Sequence, residues 1–307
     1  KYVPDFVLMR ADGSPLYTLA VAVDDVLMKV THVLRGEDLL SSTPRQIQVY
    51  KAMGLKPDQY PTFAHLPFVM GQDNAKLSKR NGEVSIAWYR EQGFLPEAIC
   101  NYLALLGWSP GDDREDISMK ELVQLFEVHD VHSSPARFDM KKLEAINGDK
   151  IRALSAEEFL ERALPFLTQA NVISGSESEI QLVKAALPII QERIVKLDEI
   201  PTMLKFLFVK QFEVESESKE KIKDDQSKQV LKRALEVLTP VTSWNHENIE
   251  SALRSALIDE LGLKPRIAFG AVRIAVTGSH ISPPLFESMQ LLGKEASLTR
   301  INAAISL

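Results

Sequence analysis

The sequence is poor in the residues that mark several protein classes. Of its 307 residues only Cys100 is a cysteine. A lone thiol excludes an intrachain disulfide and a thiolate zinc cluster, so no zinc is expected and a reducing, cytoplasmic setting fits. No run approaches the roughly 18 apolar residues of a spanning helix, and no membrane partner is expected. The opening residues, Lys1-Tyr2-Val3-Pro4-Asp5, have neither an apolar signal core nor an initiator methionine, so the chain reads as beginning inside a longer protein. With 14 Gly and 16 Pro, collagen-like and low-complexity compositions are excluded as well.

What is present is the balance of a globular chain, 45% hydrophobic and 25% charged. At roughly 150 residues per domain, two or more domains are expected. A formal charge of -6 argues against a protein held to nucleic acid by basic bulk, while leaving room for local basic patches.

The first seventy residues read as mixed α/β. Tyr17 to Val23 is a continuous apolar run ending at Asp24-Asp25, and Val30 to Leu34 is a second, ending at Arg35-Gly36-Glu37-Asp38. Both are expected as buried strands, with Asp24 and Asp25 as turn formers. Thr43 as N-cap, Pro44 at the first helical position and Gly54 as a left-handed stop predict a helix from Pro44 to Met53. Leu66 to Met70 is expected as a further strand, giving part of a parallel sheet. Beyond Gly71 the pattern turns helical. Pro96 opens a helix with Ile99, Tyr102, Leu103 and Leu106 on one face, and Ser118 with Glu121 and Ser155 with Glu158 form capping boxes. The charged stretch Glu213 to Gln226 reads as a solvated connection between helical bundles. Helical patterns resume at Ser227 to Leu238, His246 to Ile258, Pro265 to Val276 and Glu295 to Ile305. Trp88 and Trp108 are expected in a bundle core.

The most informative segment is Gly71 to Gly82, in which Lys76, Lys79 and Arg80 stand against one acid, Asp73. Its ammonium groups and the Ser78 hydroxyl suit phosphate oxygens. As a short string alone it is equally a basic surface loop, so context decides.

Lys76-Leu77-Ser78-Lys79-Arg80 resembles the Lys-Met-Ser-Lys-Ser signature of class I aminoacyl-tRNA synthetases, in the form used by bacterial glutamyl-tRNA synthetases. The resemblance continues through Leu16 to Asp25, Thr31 to Asp38, Gly93 to Ala98, Asn101 to Trp108, Ala275 to Ser279 and Leu291 to Glu295, in the family's order. It implies a mainly α protein with a partial α/β portion, the second half of a Rossmann-type catalytic domain, then a helical stem-contact bundle and an all-helical anticodon-binding region. The implied divisions are 1–70 with the remnant of an inserted domain, 71–152 with the lysine loop, 153–212 and 213–307. The implied activity is glutamate activation with ATP and Mg²⁺, followed by transfer to the 3′ end of glutamate tRNA by a monomeric enzyme.

By the same resemblance, Lys79, Lys76 and Ser78 would stabilise the phosphates of ATP, with Leu77 lining that loop in place of methionine. Glu37 matches a position near the ribose and the tRNA terminus. Tyr17 and Arg35 match positions that hold glutamate, and Val21 lies where some relatives carry an asparagine. Arg193 and Arg273 match anticodon contacts, for which guanidinium planes are suited. Taken singly, Tyr17 is as well explained by core packing, Arg35 with Glu37 by an ion pair, and either later arginine by a solvated helix face. An arginine at 193 resembles the enzymes that discriminate against glutamine tRNA.

The departure from the family is the missing His-x-Gly-His element. The expectation is therefore a C-terminal portion that forms no glutamyl adenylate alone. The competing reading is a non-catalytic tRNA-binding module. A glutamine-tRNA ligase is disfavoured because its anticodon region is usually a β-barrel, and the shorter glutamyl-queuosine enzymes because they lack one.

Overall fold

A computed structural model of the chain describes residues 3–71, 76–77, 85–209 and 211–307. It separates into two compact units, Lys1–Val84 with Cys100–Met140, and Ser85–Ile99 with Lys141–Leu307. Among the described residues no helix is long and apolar enough to cross a membrane.

In the first unit the elements are α1 (Tyr17–Leu27), β1 (His32–Gly36), α2 (Thr43–Ala52), β2 (Thr62–Leu66), β3 (Val69–Met70), most of α4 (Pro96–Leu105), α5 (Met119–Leu125) and β4 (Ala136–Arg137). The segment expected as a first strand, Tyr17 to Val23, is the helix α1. A continuous apolar run carries no periodicity to separate the two forms. Its burial does: Leu19, Ala22 and Val26, at helical spacing, pack with Val49 and Tyr50 of α2. Asp25 ends no strand; its carboxylate accepts from the buried Tyr50 hydroxyl at 3.0 Å.

β1 and β2 are parallel, with Arg35 opposite His65, and α2 is the crossover between them. The expected strand from Leu66 to Met70 is instead two strands. Proline has no N–H for a ladder, so β2 stops at Leu66, before Pro67, and Val69–Met70 pairs separately with β4. Thr43 is not a cap either. A short 3₁₀ helix, Glu37–Ser42, leads straight into α2, and Thr43 spends its hydroxyl on the guanidinium of Arg35. Gly54 does take the left-handed conformation, at φ +87°. In α4, Tyr102 is buried as expected but Leu103 is 51% exposed. Asn101 replaces it on the buried face, donating to the Glu115 carbonyl and accepting from the Ile117 amide, both at 2.9 Å. Trp108 is buried with Ile117 and Leu122.

In the second unit α3 (Ile86–Glu91) and the start of α4 precede α6 (Met140–Arg152), α7 (Ala156–Gln169), α8 (Glu177–Ala186), α9 (Pro188–Gln191) and α10 (Ile200–Leu204). Then come α11 (Ser216–Glu220), α12 (Asp225–Leu238), α13 (His246–Arg254), α14 (Pro265–Thr277), α15 (Leu285–Leu292) and α16 (Lys294–Ile305). Both expected capping boxes form, at Ser118 and Ser155.

The connection from Glu213 to Gln226 is less solvated than expected. It contains α11, and Ser218 and Ile222, one helical turn apart, are both buried. The charged residues around them pair on the outer side, Lys221 with Glu217 at 2.8 Å and Lys223 with Glu220. α12, α14 and α16 then enclose one apolar core with α13 and α15.

Gly93 sits at φ +79°, where an added Cβ would lie 2.5 Å from the Leu197 amide nitrogen. That close approach allows the Leu197 amide to donate to the Gly93 carbonyl at 3.1 Å. The buried Asn147 completes the junction, accepting from the Leu95 amide at 2.8 Å and donating to the Val195 carbonyl at 2.6 Å.

Candidate functional site

In the first unit the side chains of interest gather at the C-terminal end of β1. Arg35, half-buried on that strand, is the organising residue. Its Nη2 donates to Thr43 Oγ1 and Gln46 Oε1, both at 2.8 Å, and to the Leu39 carbonyl at 3.3 Å. Its Nε reaches His65 Nε2 at 3.4 Å, and its plane stands 5.4 Å from the Phe63 ring centre. No described residue takes Nη1. Gln46 is fully buried, and its Nε2 has no partner among the described residues. The cluster therefore carries two donors without described acceptors, which suits an anionic or carbonyl ligand.

Glu37, two residues on, is half-buried and accepts from the Phe68 amide at 3.2 Å. Among the described residues it makes no ion pair with Arg35. Lys76 pairs with Asp38 at 3.5 Å and lies 3.8 Å above the Phe68 ring. Backbone pairing sets this placement: Lys76 bridges to Met70, and the Leu77 amide donates to the Val69 carbonyl at 3.0 Å. Leu77 is half-buried. The structure thus brings Glu37 and Lys76 to the same strand end as Arg35. Ser78 and Lys79 lie outside the described residues.

Tyr17, at the first position of α1, is 48% exposed, and Val21 follows one turn later on the same face, half-buried. No described hydrogen bond joins Tyr17 to Arg35. Sequence reading missed Thr43, Gln46 and His65. A signal existed: Thr43 and Gln46 share a face of α2 at i and i+3, and His65 is the register partner of Arg35.

In the second unit Arg193 is exposed, in the turn after α9, and Arg273 is half-buried on α14. Arg273 lines a cavity of about 730 Å³ together with Lys221, Asp224, Arg266, Phe269 and His280. Its Nε is buried and has no partner among the described residues. Burial lowers its pKa from the ordinary arginine value, and the nearby positive charge of Arg193 adds to that effect. The charge of Arg193 is thus felt at Arg273, beside a cavity whose charged lining is Lys221, Arg266 and Arg273 against the single acid Asp224.

Two family models match the chain in order. Residues 1–145 match the class I tRNA synthetase (E and Q) catalytic domain, and residues 158–305 match an anticodon binding domain. The chain is 51% identical to the glutamate–tRNA ligase of Nocardioides sp., over 99% of this chain and 63% of that one. It is 50% identical to that of Paenarthrobacter aurescens, over 98% and 60%. The chain belongs to the class I glutamyl-tRNA synthetase family.

Its fold agrees with that membership. A crystal structure of a glutamate tRNA ligase from Elizabethkingia meningosepticum in complex with its amino acid superposes with a TM-score of 0.78, at 30% identity, covering 99% of this chain and 62% of that one. The synthetase from Elizabethkingia anophelis gives 0.76 at 29% identity, with the same coverage. This synthetase-family chain spans about three fifths of the length of the curated relatives it matches.

Proposed function

We propose that the chain is part of a glutamate–tRNA ligase, in which glutamate is activated by ATP and transferred to the 3′ end of glutamate tRNA. The observation that carries this reading is identity of 51% over 99% of the chain, with catalytic and anticodon models matching in sequence order. The four-part division at 70, 152 and 212 goes with it, as do a cytoplasmic setting and a monomeric state.

In this reading Lys76, Ser78 and Lys79 face the phosphates, and Mg²⁺ accompanies the nucleotide. When the glutamate carboxylate attacks the α-phosphorus, the bond to the bridging oxygen breaks and negative charge grows on the departing pyrophosphate. Fixed ammonium groups stabilise that charge more than the ground state. The Asp38 pairing does not hold Lys76 back. Both side chains are 53% exposed, and a surface pair of this kind is worth about 0 to 1 kcal/mol. Leu77 anchors the loop through its backbone, and Glu37, tied to the Phe68 amide, stands where the ribose and the tRNA terminus would approach.

Glutamate is assigned to Arg35, Tyr17 and Val21. Among the described residues none takes Arg35 Nη1, while Thr43, Gln46 and His65 fix its plane, an arrangement suited to orienting a carboxylate. Arg193 and Arg273 are assigned to anticodon bases. The buried Nε of Arg273, without a partner among the described residues, supports this, because an RNA acceptor would satisfy that donor. Arg273→Ala is expected to weaken binding of glutamate tRNA by about 1 to 3 kcal/mol, the scale of one bidentate base contact. Unchanged affinity in a filter-binding titration at fixed salt removes Arg273 from the site.

The competing reading is a tRNA-binding module without catalysis. The two readings part on aminoacylation by the natural gene product, which only the ligase performs.

A further inference from the structure

Arg300, on α16, is a cation that the second unit buries without an anion. It is 9% exposed and has no carboxylate partner among the described residues. Its Nη1 donates to the Val276 carbonyl at 2.8 Å and its Nη2 to the Phe206 carbonyl at 2.9 Å, while its plane lies 3.9 Å above the Phe212 ring. Burial brings its pKa down to about 10, still charged at neutral pH. Burying a cation this way is unfavourable against a well-packed apolar residue. The two carbonyls it joins show what the arrangement achieves.

Val276 is three residues beyond Arg273 on α14, in the last turn, where helical carbonyls lack intrahelical donors and carry the negative end of the helix dipole. Phe206 closes the segment that begins just after Arg193. Along it Ile194, Leu197, Ile200, Leu204 and Phe206 are all 4% exposed or less, so the segment is packed into the core along its length. A second tie acts at the same place: the Glu215 amide donates to the Gly278 carbonyl at 2.9 Å. The positive charge of Arg193 opposes that of Arg273. Something in the fold holds their carriers together.

We infer that Arg300 is a positioning residue for RNA binding, locking the Arg193 segment to the end of α14 so that Arg193 and Arg273 act on one stretch of the same RNA. The inference rests on the anticodon assignment of those two arginines. Arg300 itself touches no RNA in this arrangement, since its fork is spent on the two carbonyls. Lysine cannot replace it, because an ammonium on a single stem does not span both acceptors in a plane above a ring.

The test is a double-variant cycle of Arg193→Ala and Arg273→Ala, read as the Kd of the 307-residue chain for glutamate tRNA at fixed salt. It is repeated in an Arg300→Met background, at a temperature where thermal unfolding shows every variant folded. With Arg300 present, each single change weakens binding, and the double variant departs from the product of the two by about threefold or more, as coupled sites do. Arg300→Met should weaken binding about tenfold on its own, on the scale of allosteric couplings, and return the double variant to the simple product. Arg300→Lys should behave like Arg300→Met.

If Arg193→Ala and Arg273→Ala leave Kd unchanged with Arg300 in place, the RNA assignment fails and this inference falls with it. If both weaken binding but Arg300→Met preserves Kd and coupling, the inference alone is overturned. Should Arg300→Met not fold, Phe212→Leu removes only the ring beneath the guanidinium, and undiminished coupling in that variant overturns the inference equally.

Discussion

Replacing Asn147 by alanine tests whether one buried amide holds together the start of α4, the end of α6 and the turn before residue 197. The side chain is fully buried, with its oxygen 2.8 Å from the Leu95 amide and its nitrogen 2.6 Å from the Val195 carbonyl. A further contact to the Gly93 carbonyl at 3.4 Å is at the limit of a hydrogen bond. Alanine removes both partners and leaves one N–H and one C=O buried. Each such group costs about 1 to 3 kcal/mol, so a loss of about 2 to 6 kcal/mol is expected. Urea unfolding followed by circular dichroism should show a lower midpoint with an unchanged slope, the pattern of lost stability without a change in the surface exposed. Asn147→Asp keeps the acceptor for Leu95 but sets an anion against the Val195 carbonyl, so it should be no milder. A loss below about 1 kcal/mol for Asn147→Ala would mean that water or backbone movement satisfies these groups, and the account of this junction would be wrong.

Two further outcomes follow from specific contacts. Glu97 accepts both guanidinium nitrogens of Arg162, at 3.1 and 2.8 Å, and that pairing lowers its pKa below the ordinary carboxylate value. A depressed folded-state pKa stabilises above the unfolded value of about 4.3 and is lost as pH falls through the folded one. Glu97→Gln should therefore lower the urea midpoint at neutral pH, by less than about 1 kcal/mol for so exposed a pair. The gap from the native chain should close in acid, and a constant gap refutes the pairing as its cause. For chemistry, the 307-residue chain alone should show no glutamate-dependent ATP–pyrophosphate exchange, with or without glutamate tRNA. Robust exchange would show that these residues suffice for the adenylate.

The helical organisation beyond residue 85 was legible in the sequence because its signals are local. Ser118 with Glu121 and Ser155 with Glu158 announce helix starts through side chains three residues apart, and each forms the bonds expected of it. Where tertiary packing decides, sequence reading failed. Tyr17 to Val23 is equally apolar on every side, so strand and helix could be separated only by learning that α2 covers Leu19, Ala22 and Val26. Thr43 was misread as a cap because its hydroxyl is claimed by Arg35, which lies on the preceding strand rather than on the helix. The burial of Ser218 is similar: a serine in a charged run reads as solvated until His280 is seen 3.1 Å from its hydroxyl. At the candidate site, Arg35, Glu37 and Lys76 were found from resemblance to a family. Gln46 and His65, which fix Arg35, were not found, since the i,i+3 spacing of Thr43 and Gln46 and the register of His65 gain meaning only once β1, α2 and β2 are assembled.

The central claim, that this chain is built to bind glutamate tRNA through its anticodon, is tested most directly by one comparison. The chain is titrated at fixed salt against glutamate tRNA and against the same tRNA with its anticodon bases replaced. The account predicts weaker binding of the altered tRNA, by about fivefold or more, the lower end of the range for a lost base contact. Equal affinities for the two would contradict it.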